Sequence, residues 1–396
     1  MLHLEVGQPS TPAPALARQA AAEALSGDVL GYTTANGIAP LRARIARHYA
    51  ERHHLDIDPG RAVLTAGASG GFVLAFLAAF ERGERVAVTE PGYPCYRNTL
   101  LAFERLPVGV PVGADTRFQP TPALLDAAAA HHGPLRGLVV ASPSNPTGSA
   151  LRPGELAELA AWCRERSVRL VSDEIYHGIS YGEPPPTALS VDGDAIVLNS
   201  FSKYFSMTGW RLGWMVLPPA LVGPVDRLAA NLFICPAVLS QHAALAALEA
   251  GEELDGHVAR HGRNRRIVLD GLAAAGLVDV APADGAFYAY ADVSHLTDDS
   301  AAAAGGWRSW GGGHAGHRLR PGAGPPFRPV LLRRGHRRSP RGHGAAAAVG
   351  GRPPQPSRRL LSPGRVGQRP SMDRCHGSPP PPQRKAGPSR WRSPRL

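Results

Sequence analysis

The sequence predicts an α/β fold, in which a mostly parallel sheet is covered by helices on both faces and a smaller α+β unit follows. Short apolar runs that are typical of buried strands alternate with helical stretches between residues 62 and 217. The chain of 396 residues is long enough for more than one domain. Its composition changes near residue 300, after which proline, glycine and arginine dominate. We therefore expect the folded part of the chain to end near that residue.

The predicted elements follow one another in regular order. A strand-like start at 2–6 and an Ala-rich helix at 14–26 precede a helix with Leu41, Ile45 and Tyr49 at four-residue spacing. Strands are predicted at 62–65, 85–89, 137–141, 168–172, 195–199 and 212–217, and helices at 70–80, 121–130 and 154–165. Residues 220–276 are expected to be largely helical, and two further strands are expected at 278–281 and 286–292. Ligands bind beyond the carboxyl ends of parallel strands, so the residues that follow these runs are the functional candidates.

Charge divides the chain into two unlike parts. Residues 1–300 contain 23 Lys and Arg against 31 Asp and Glu, whereas residues 301–396 contain 20 basic residues and one acid, Asp373. The second part also has 16 Pro and 17 Gly. Such a segment cannot bury enough apolar surface to offset its chain entropy, so we expect residues 300–396 to be a disordered tail. We divide the rest into an N-terminal segment (1–30), a large domain (31–255) and an incomplete small domain (256–299).

Several classes of protein are disfavoured by simple features. No run of 18 apolar residues is present, so no membrane span is expected, and the N-terminus has no secretory pattern. The four cysteines form no CxxC pair, and the 16 histidines are not spaced with acids as metal ligands would be. We expect a cytoplasmic protein without a metal site.

Lysine is almost absent from the chain. It contains two, Lys203 and Lys385, against 41 arginines, so Lys203 is the single lysine of residues 1–300. Ser200 and Ser202 precede it at a predicted strand end, and Arg211 follows. Together these residues suit a phosphorylated aldehyde, which would form an imine with the lysine and bind the arginine through its phosphate. The alternative is an ordinary solvated turn, which the neighbouring aromatic residues disfavour.

Three other strand ends carry complementary residues. Asp173 ends an apolar run and could keep a pyridine nitrogen protonated, while Tyr176 could reach an oxygen of the same ring. Asn145 follows Pro143 and directly precedes another proline, which would hold its amide rigidly. The glycine-rich segment 65–71 precedes an apolar helix, whose N-terminus favours an anion. Each feature also has a plain structural reading as a cap or turn, but together they supply what one cofactor needs.

These motifs resemble the fold-type I, class I/II pyridoxal-phosphate (PLP) aminotransferases, especially the bacterial aspartate-aminotransferase-like branch. The resemblance covers about residues 2–298 and rests on SPSNPTG, SDEIY, NSFSKYFSMTGWRLGW and GAFYAY, with GYTTANGI and EPGYP. It implies the PLP-dependent transferase fold, pyridoxal 5'-phosphate as cofactor and a homodimer. It also implies a reaction that moves an amino group between an α-amino acid and a 2-oxo acid.

The resemblance implies a role for each matching residue. Lys203 would bind the cofactor aldehyde and move a proton, and Asp173 would pair with the pyridinium nitrogen. Asn145 and Tyr176 would bond the phenolic oxygen of the ring. Tyr93 would stack on the ring face, Ala68, Ser69, Ser200, Ser202 and Arg211 would hold the phosphate, Tyr32 would reach the phosphate of the neighbouring subunit, and Gly7 and Asn145 would contact the substrate.

Both ends of the chain depart from this family pattern. The family carries a helix before the LEVGQP-like segment, so we expect a misplaced start or a natural truncation. After about residue 299 no residue matches the arginine that binds the substrate carboxylate. If the codons for residues 327–336 are read one base later, they can encode a segment close to the family's carboxylate-binding strand, which is otherwise missing. We therefore expect residues from about 300 onward to be out of frame and the activity of the chain to be impaired, which the nucleotide sequence would test.

Two other functions stay open at the level of sequence. A β-lyase, decarboxylase or ring-forming synthase of the same fold would use the same cofactor residues, because the motifs serve the cofactor and not the outcome. Alternatively, the basic tail could bind nucleic acid electrostatically in a protein without catalytic activity. The tail lacks the interleaved aromatic residues of single-strand binders, which disfavours this second alternative.

Overall fold

The computed structural model describes residues 7–27, 29–292 and 327–331. All of them belong to one compact unit, Met1–Arg337, and a second unit, Arg338–Leu396, lies outside the described residues. The strand expected at 2–6 and nearly all of the expected tail at 300–396 also lie outside them. The division of residues 1–299 into three segments stays a prediction.

Helices and strands alternate through most of the described chain. The helices are α1 (Ala15–Gly27), α2 (Ala39–His53), α3 (Gly67–Ala79), α4 (Pro94–Ala102), α5 (Pro122–His132), α6 (Pro153–Glu165), α7 (Pro219–Leu232), α8 (Val238–Ala247) and α9 (Gly251–Ala274). The strands are β1 (Ala62–Thr65), β2 (Arg85–Glu90), β3 (Leu106–Pro111), β4 (Gly137–Ala141), β5 (Arg169–Asp173), β6 (Ile196–Ser200), β7 (Gly213–Val216), β8 (Tyr288–Asp292) and β9 (Phe327–Leu331).

The first seven strands form one sheet in the order β1-β7-β6-β5-β4-β2-β3. Strands β2 to β6 pair in parallel, and β7 runs antiparallel to both of its neighbours, β1 and β6. The predicted mostly parallel α/β sheet is therefore confirmed. None of the helices within residues 7–27 and 29–292 combines the length and apolar character that a membrane crossing requires.

Both faces of the sheet are covered by helices. Leu64 and Val140 pack in one apolar cluster with residues of α1, α2, α5, α6 and α8, whereas their neighbours Val63 and Val139 pack in a second cluster with α3, α4 and α7. Alternate residues of a strand point to opposite faces, so each strand contributes to both clusters. This burial explains why the strands read as continuous apolar runs in the sequence.

Three strand predictions were wrong. Strand β3 was missed because its sequence, LPVGVP, carries two prolines and a glycine, which weaken any strand signal. It lies at the edge of the sheet, where proline is tolerated. The strand expected at 278–281 is reduced to a single bridge between Val280 and Ala291, since the chain turns away through Pro282 and through Ala283, which has a positive φ of 49°. Strand β8 pairs instead with β9 over five residues, so the expectation of a disordered tail is wrong at Phe327–Leu331, where backbone pairing forms a strand that the composition did not indicate.

Candidate active site

The parallel strands bring their carboxyl ends to one edge of the sheet. Strands β1, β4, β5 and β6 end at Thr65, Ala141, Asp173 and Ser200, and the segments that follow carry most of the predicted site residues. The sheet topology therefore gathers motifs that are more than one hundred residues apart in the chain.

Lys203 lies in the turn after β6, where its side chain is largely buried. Its Nζ donates a hydrogen bond to the carbonyl oxygen of Gly7 and lies 5.8 Å from the ring centre of Tyr176 and 5.9 Å from that of Phe287. Burial lowers the pKa of the Lys203 amine to about 8, and the negative charge of Asp173 opposes this effect. A substantial fraction of the amine is therefore neutral, and nucleophilic, at mildly alkaline pH.

Asp173 ends β5 with its carboxylate buried on the face of the sheet that carries α3 and α4. The hydroxyl of Tyr96 donates to Oδ2, and the backbone N–H of Ile175 donates to Oδ1 at 3.1 Å. Burial raises the pKa of Asp173 to about 6, although both hydrogen bonds and the charge of Lys203 favour the ionised form. The residues after Asp173 form turns, so it does not cap a helix. A buried carboxylate of this kind attracts a cationic N–H group.

Tyr176 is brought next to a residue of the small C-terminal sheet. Its hydroxyl forms a hydrogen bond with the hydroxyl of Tyr288, and their rings pack edge to face with centres 5.6 Å apart. Both tyrosines are buried. A Cβ atom at Gly7 would lie 2.7 Å from the Tyr288 hydroxyl, so only glycine fits at that position without displacement.

Hydroxyl groups and a guanidinium converge after β6 and β1. The Oγ atoms of Ser200 and Ser202 are 2.9 Å apart, and Nη1 of Arg211 lies 3.5 Å from the Ser202 Oγ. Gly67 has a positive φ of 68°, and a Cβ atom there would overlap the Arg211 guanidinium. Ala68 and Ser69 follow in the first turn of α3, and no side chain caps this end of the helix. Free N–H groups, hydroxyls and a guanidinium in one place favour an anion such as a phosphate.

The remaining predicted residues lie around this cluster. Tyr93 packs edge to face against Tyr96, with ring centres 5.5 Å apart. Asn145 is half-buried in the segment after β4, whereas the side chain of Tyr32 is 84% exposed. Within the described part of the chain, neither Asn145 nor Tyr32 forms a side-chain hydrogen bond with another predicted site residue. A surface depression of about 650 Å³ lies beside Arg211, between residues 8–13 and 206–211.

Comparison with known proteins identifies the family of this chain. The family described as aminotransferase class I and II matches residues 1–304. The chain belongs to this family. The aminotransferase function predicted from the sequence is thereby confirmed, as is the PLP-dependent transferase fold. Class I and II aminotransferases use PLP as their cofactor.

Individual aminotransferases agree with this assignment. The valine–pyruvate aminotransferase of Mycobacterium tuberculosis is 52% identical over 306 residues, which are 76% of this chain and 78% of that protein. The aspartate aminotransferase of Sulfurisphaera tokodaii is 31% identical over 75% of each chain. A crystal structure of an aminotransferase from M. tuberculosis covers 76% of this chain and 78% of its own, with a TM-score of 0.73 and 52% identity. Aspartate aminotransferase from Thermus thermophilus with maleate gives a TM-score of 0.72 at 28% identity, over 76% and 79% of the two chains.

The residue types of this aminotransferase fit the parts of PLP. A partly neutral amine at Lys203 suits the aldehyde, and the buried carboxylate of Asp173 suits the pyridinium nitrogen. The contact between Gly67 and Arg211 suits the phosphate. Because Gly67 has no Cβ atom, the Arg211 guanidinium can lie directly beside the first turn of α3. This fit rests on the chemistry of the side chains in the structure and is independent of the sequence match.

Two residues of this site were missed by sequence reasoning. Tyr96 bonds Asp173 across 77 residues of chain, and Tyr288 bonds Tyr176 across 112 residues. Tyr288 lies within the motif GAFYAY, and Tyr96 follows the motif EPGYP by two residues, three residues after Tyr93. Nothing local in the sequence shows which polar group a tyrosine hydroxyl will meet.

Proposed function

We propose that this chain is a PLP-dependent aminotransferase that moves the amino group of a small aliphatic α-amino acid such as valine to pyruvate. The substrate pair comes from the valine–pyruvate aminotransferase with which the chain shares 52% identity. The observation that carries the proposal is the position of Lys203, the single lysine of residues 1–300, beside Asp173 and Tyr176 at the carboxyl edge of the sheet.

Each site residue has a task in the proposed reaction. PLP, when bound, supplies an electron-withdrawing ring that weakens the Cα–H bond of the substrate amino acid. The Lys203 amine would hold the aldehyde carbon of the cofactor, and its Nζ would take up and return the proton at Cα of the substrate. The Asp173 carboxylate keeps the ring nitrogen protonated, and Tyr176 and Asn145 donate to the ring oxygen.

The other residues hold and cover the cofactor. Ser200, Ser202, Arg211 and the first turn of α3, with Ala68 and Ser69, bind the phosphate. Tyr93 lies against the ring, and Gly7 and Asn145 contact the substrate carboxylate. Lys203 already donates to the Gly7 carbonyl, which supports a place for the N-terminal segment over the reacting atoms.

A homodimer completes the site in this proposal. Tyr32 would reach the phosphate of the second subunit, and the 84% exposure of its side chain, with the 95% exposure of Val29, supports a surface that a second copy covers. We also place the protein in the cytoplasm, in agreement with the three free cysteines among the described residues.

The proposal is tested by trapping the cofactor. The full chain is incubated with PLP, reduced with borohydride and mapped by mass spectrometry. We expect the cofactor on Lys203 and no trapped cofactor in K203A. Recovery on Lys385 alone, or on no residue, would contradict the proposed site.

Turnover is then measured with valine and pyruvate. We expect alanine and the branched 2-oxo acid in equal amounts. Release of ammonia or carbon dioxide in place of alanine would favour a lyase or a decarboxylase on the same cofactor.

A further inference from the structure

We infer that Tyr288 is a positioning residue, whose hydroxyl donates to Tyr176 and thereby directs the Tyr176 O–H toward the ring oxygen of the cofactor. This inference rests on the proposed function and assigns a role to a residue of the small C-terminal sheet. Tyr288 begins β8, whereas Tyr176 lies in the turn after β5, so the bond joins two sheets.

The two hydroxyls are enclosed together. Both side chains are 3% exposed, and Phe287 packs edge to face against the Tyr176 ring with centres 5.6 Å apart. Burial raises the pKa of both phenols above the usual value near 10. Each hydroxyl therefore keeps its hydrogen at any working pH, and the pair holds two hydrogens.

The number of hydrogens and the proposed position of the cofactor together give the direction of the bond. One hydrogen lies between the two oxygens, and the other must find a different acceptor, because buried donors are almost always satisfied. Within the described residues, each of the two hydroxyls has the other as its hydrogen-bond partner, and a Cβ atom at Gly7 would lie 2.7 Å from the Tyr288 oxygen. In the proposed function the ring oxygen of the cofactor accepts the Tyr176 hydrogen, so the hydrogen between the two oxygens comes from Tyr288; the Lys203 amine lies over the ring of Tyr176.

This direction has a consequence for the cofactor. A hydroxyl that accepts a hydrogen bond becomes a stronger donor itself, by about 10–30% per bond in condensed-phase estimates. The Tyr176 hydroxyl thus stabilises negative charge on the ring oxygen more effectively. Without Tyr288, the ring oxygen of the cofactor carries more negative charge. This charge raises the pKa of a nearby protonated group, which then loses its proton at a higher pH.

The test measures the bound cofactor spectroscopically. Wild type and Y288F are loaded with PLP, and the midpoint of the pH-dependent change in cofactor absorbance is determined together with the Kd for PLP. We expect Y288F to raise the midpoint by about half a pH unit and to weaken PLP binding about threefold. The control is Y290F, which removes a hydroxyl from the same strand at a ring that packs against Phe118, and we expect it to change neither value.

Two further comparisons separate direct coupling from general disturbance. In a Y176F background, Y288F should add nothing, because its effect passes through the Tyr176 hydroxyl. G7A places a Cβ atom 2.7 Å from the Tyr288 hydroxyl but 3.6 Å from the ring carbon behind it. We therefore expect G7A to raise the midpoint in wild type and to leave it unchanged in Y288F.

The outcomes distinguish this inference from the proposed function. A wild-type chromophore on Lys203 with the same midpoint in Y288F overturns the inference and leaves the proposed function intact. Additive effects of Y288F and Y176F also overturn it. Failure of wild type to bind PLP at Lys203 overturns both.

Discussion

Replacement of Asp173 by asparagine should stabilise the cofactor-free protein and weaken its binding of PLP. Burial raises the pKa of Asp173 from 3.8 to about 6. The folded protein therefore holds the proton more tightly than the unfolded chain, and the free energy of unfolding falls as pH rises from about 4 to about 6. Two pKa units correspond to roughly 3 kcal/mol, which is the cost of keeping this ionised carboxylate buried at pH 8. Asparagine avoids that cost.

Some of this gain is offset by the altered hydrogen bonds. The N–H of Ile175 can still be accepted by the asparagine oxygen, but Tyr96 must reorient to accept from the amide, which costs about 1 kcal/mol. We expect cofactor-free D173N to be about 2 kcal/mol more stable than wild type at pH 8 and no more stable at pH 4. Addition of PLP should reverse the order at pH 8, since a pyridinium paired with the carboxylate stabilises wild type alone.

The assay is urea unfolding, followed by tryptophan fluorescence at both pH values with and without PLP. Other titrating groups are present in both proteins, so the difference between the two isolates position 173. D173N that is less stable than wild type at pH 8, or a difference that does not change with pH, would refute the reasoning.

Two further substitutions probe the supports of the cofactor site. Y96F removes a donor to a buried carboxylate, a bond that contributes roughly 1.5–3 kcal/mol. The pKa of Asp173 should therefore rise above 6, and PLP should bind about tenfold more weakly at pH 7 in a fluorescence titration; unchanged affinity would exclude this role for Tyr96. G67A combines a positive φ of 68° with overlap against the Arg211 guanidinium, so we expect PLP affinity to fall at least about tenfold, by about 1.4 kcal/mol. The control is G83A, because Gly83 has a φ of 80° but open space around it. We expect G83A to lower thermal stability and to bind PLP as wild type does. Equal PLP affinities of G67A and G83A would contradict the proposed phosphate site.

The fold was predictable where burial is continuous. Strands β1 and β4 begin and end at the residues expected from their apolar runs, and β5 and β6 differ by one residue at each end. Strand β3 could not be predicted because an edge strand with one covered side needs fewer apolar residues and tolerates proline. The antiparallel direction of β7 could not be predicted either, since the sequence pattern of a buried strand is the same in both directions.

The site was predictable for residues that lie within recognised sequence motifs. Lys203, Asp173, Tyr176 and Gly7 lie together because each stands at or near a strand end or a recognised segment. The hydrogen bonds of Tyr96 and Tyr288 depend on tertiary packing across long stretches of chain, and a single sequence carries no signal for such pairs.

The composition change near residue 300 coincides with the end of the family match at residue 304. Two independent properties, charge and similarity, therefore change at the same place in the chain. The pairing of β8 with β9 uses backbone groups, although Pro329 in β9 has no N–H to donate. The frame-shift hypothesis stays a prediction for the nucleotide sequence.

Two adjacent buried carboxyl groups, those of Asp173 and Glu174, lie on opposite faces of the sheet at the end of β5. Side chains alternate along β5, so Asp173 faces Tyr96 and Lys203, whereas the next residue, Glu174, faces the opposite layer. There Glu174 accepts hydrogen bonds from Ser172, Thr187 and the backbone of Ala188, and burial raises its pKa to about 7. Burial thus raises the pKa of both carboxyl groups, while the charge of the Lys203 amine favours the ionised form of Asp173.

The carboxyl group whose ionised form the lysine favours therefore lies on the side of the sheet that faces the lysine. A pyridinium group at the site would meet Asp173, and Glu174 would anchor the turn that carries Tyr176. The sequence SDEIY contains both carboxyl groups, but only their placement on opposite faces of the sheet puts Asp173 beside Lys203 and Glu174 in the core, as the proposed function requires.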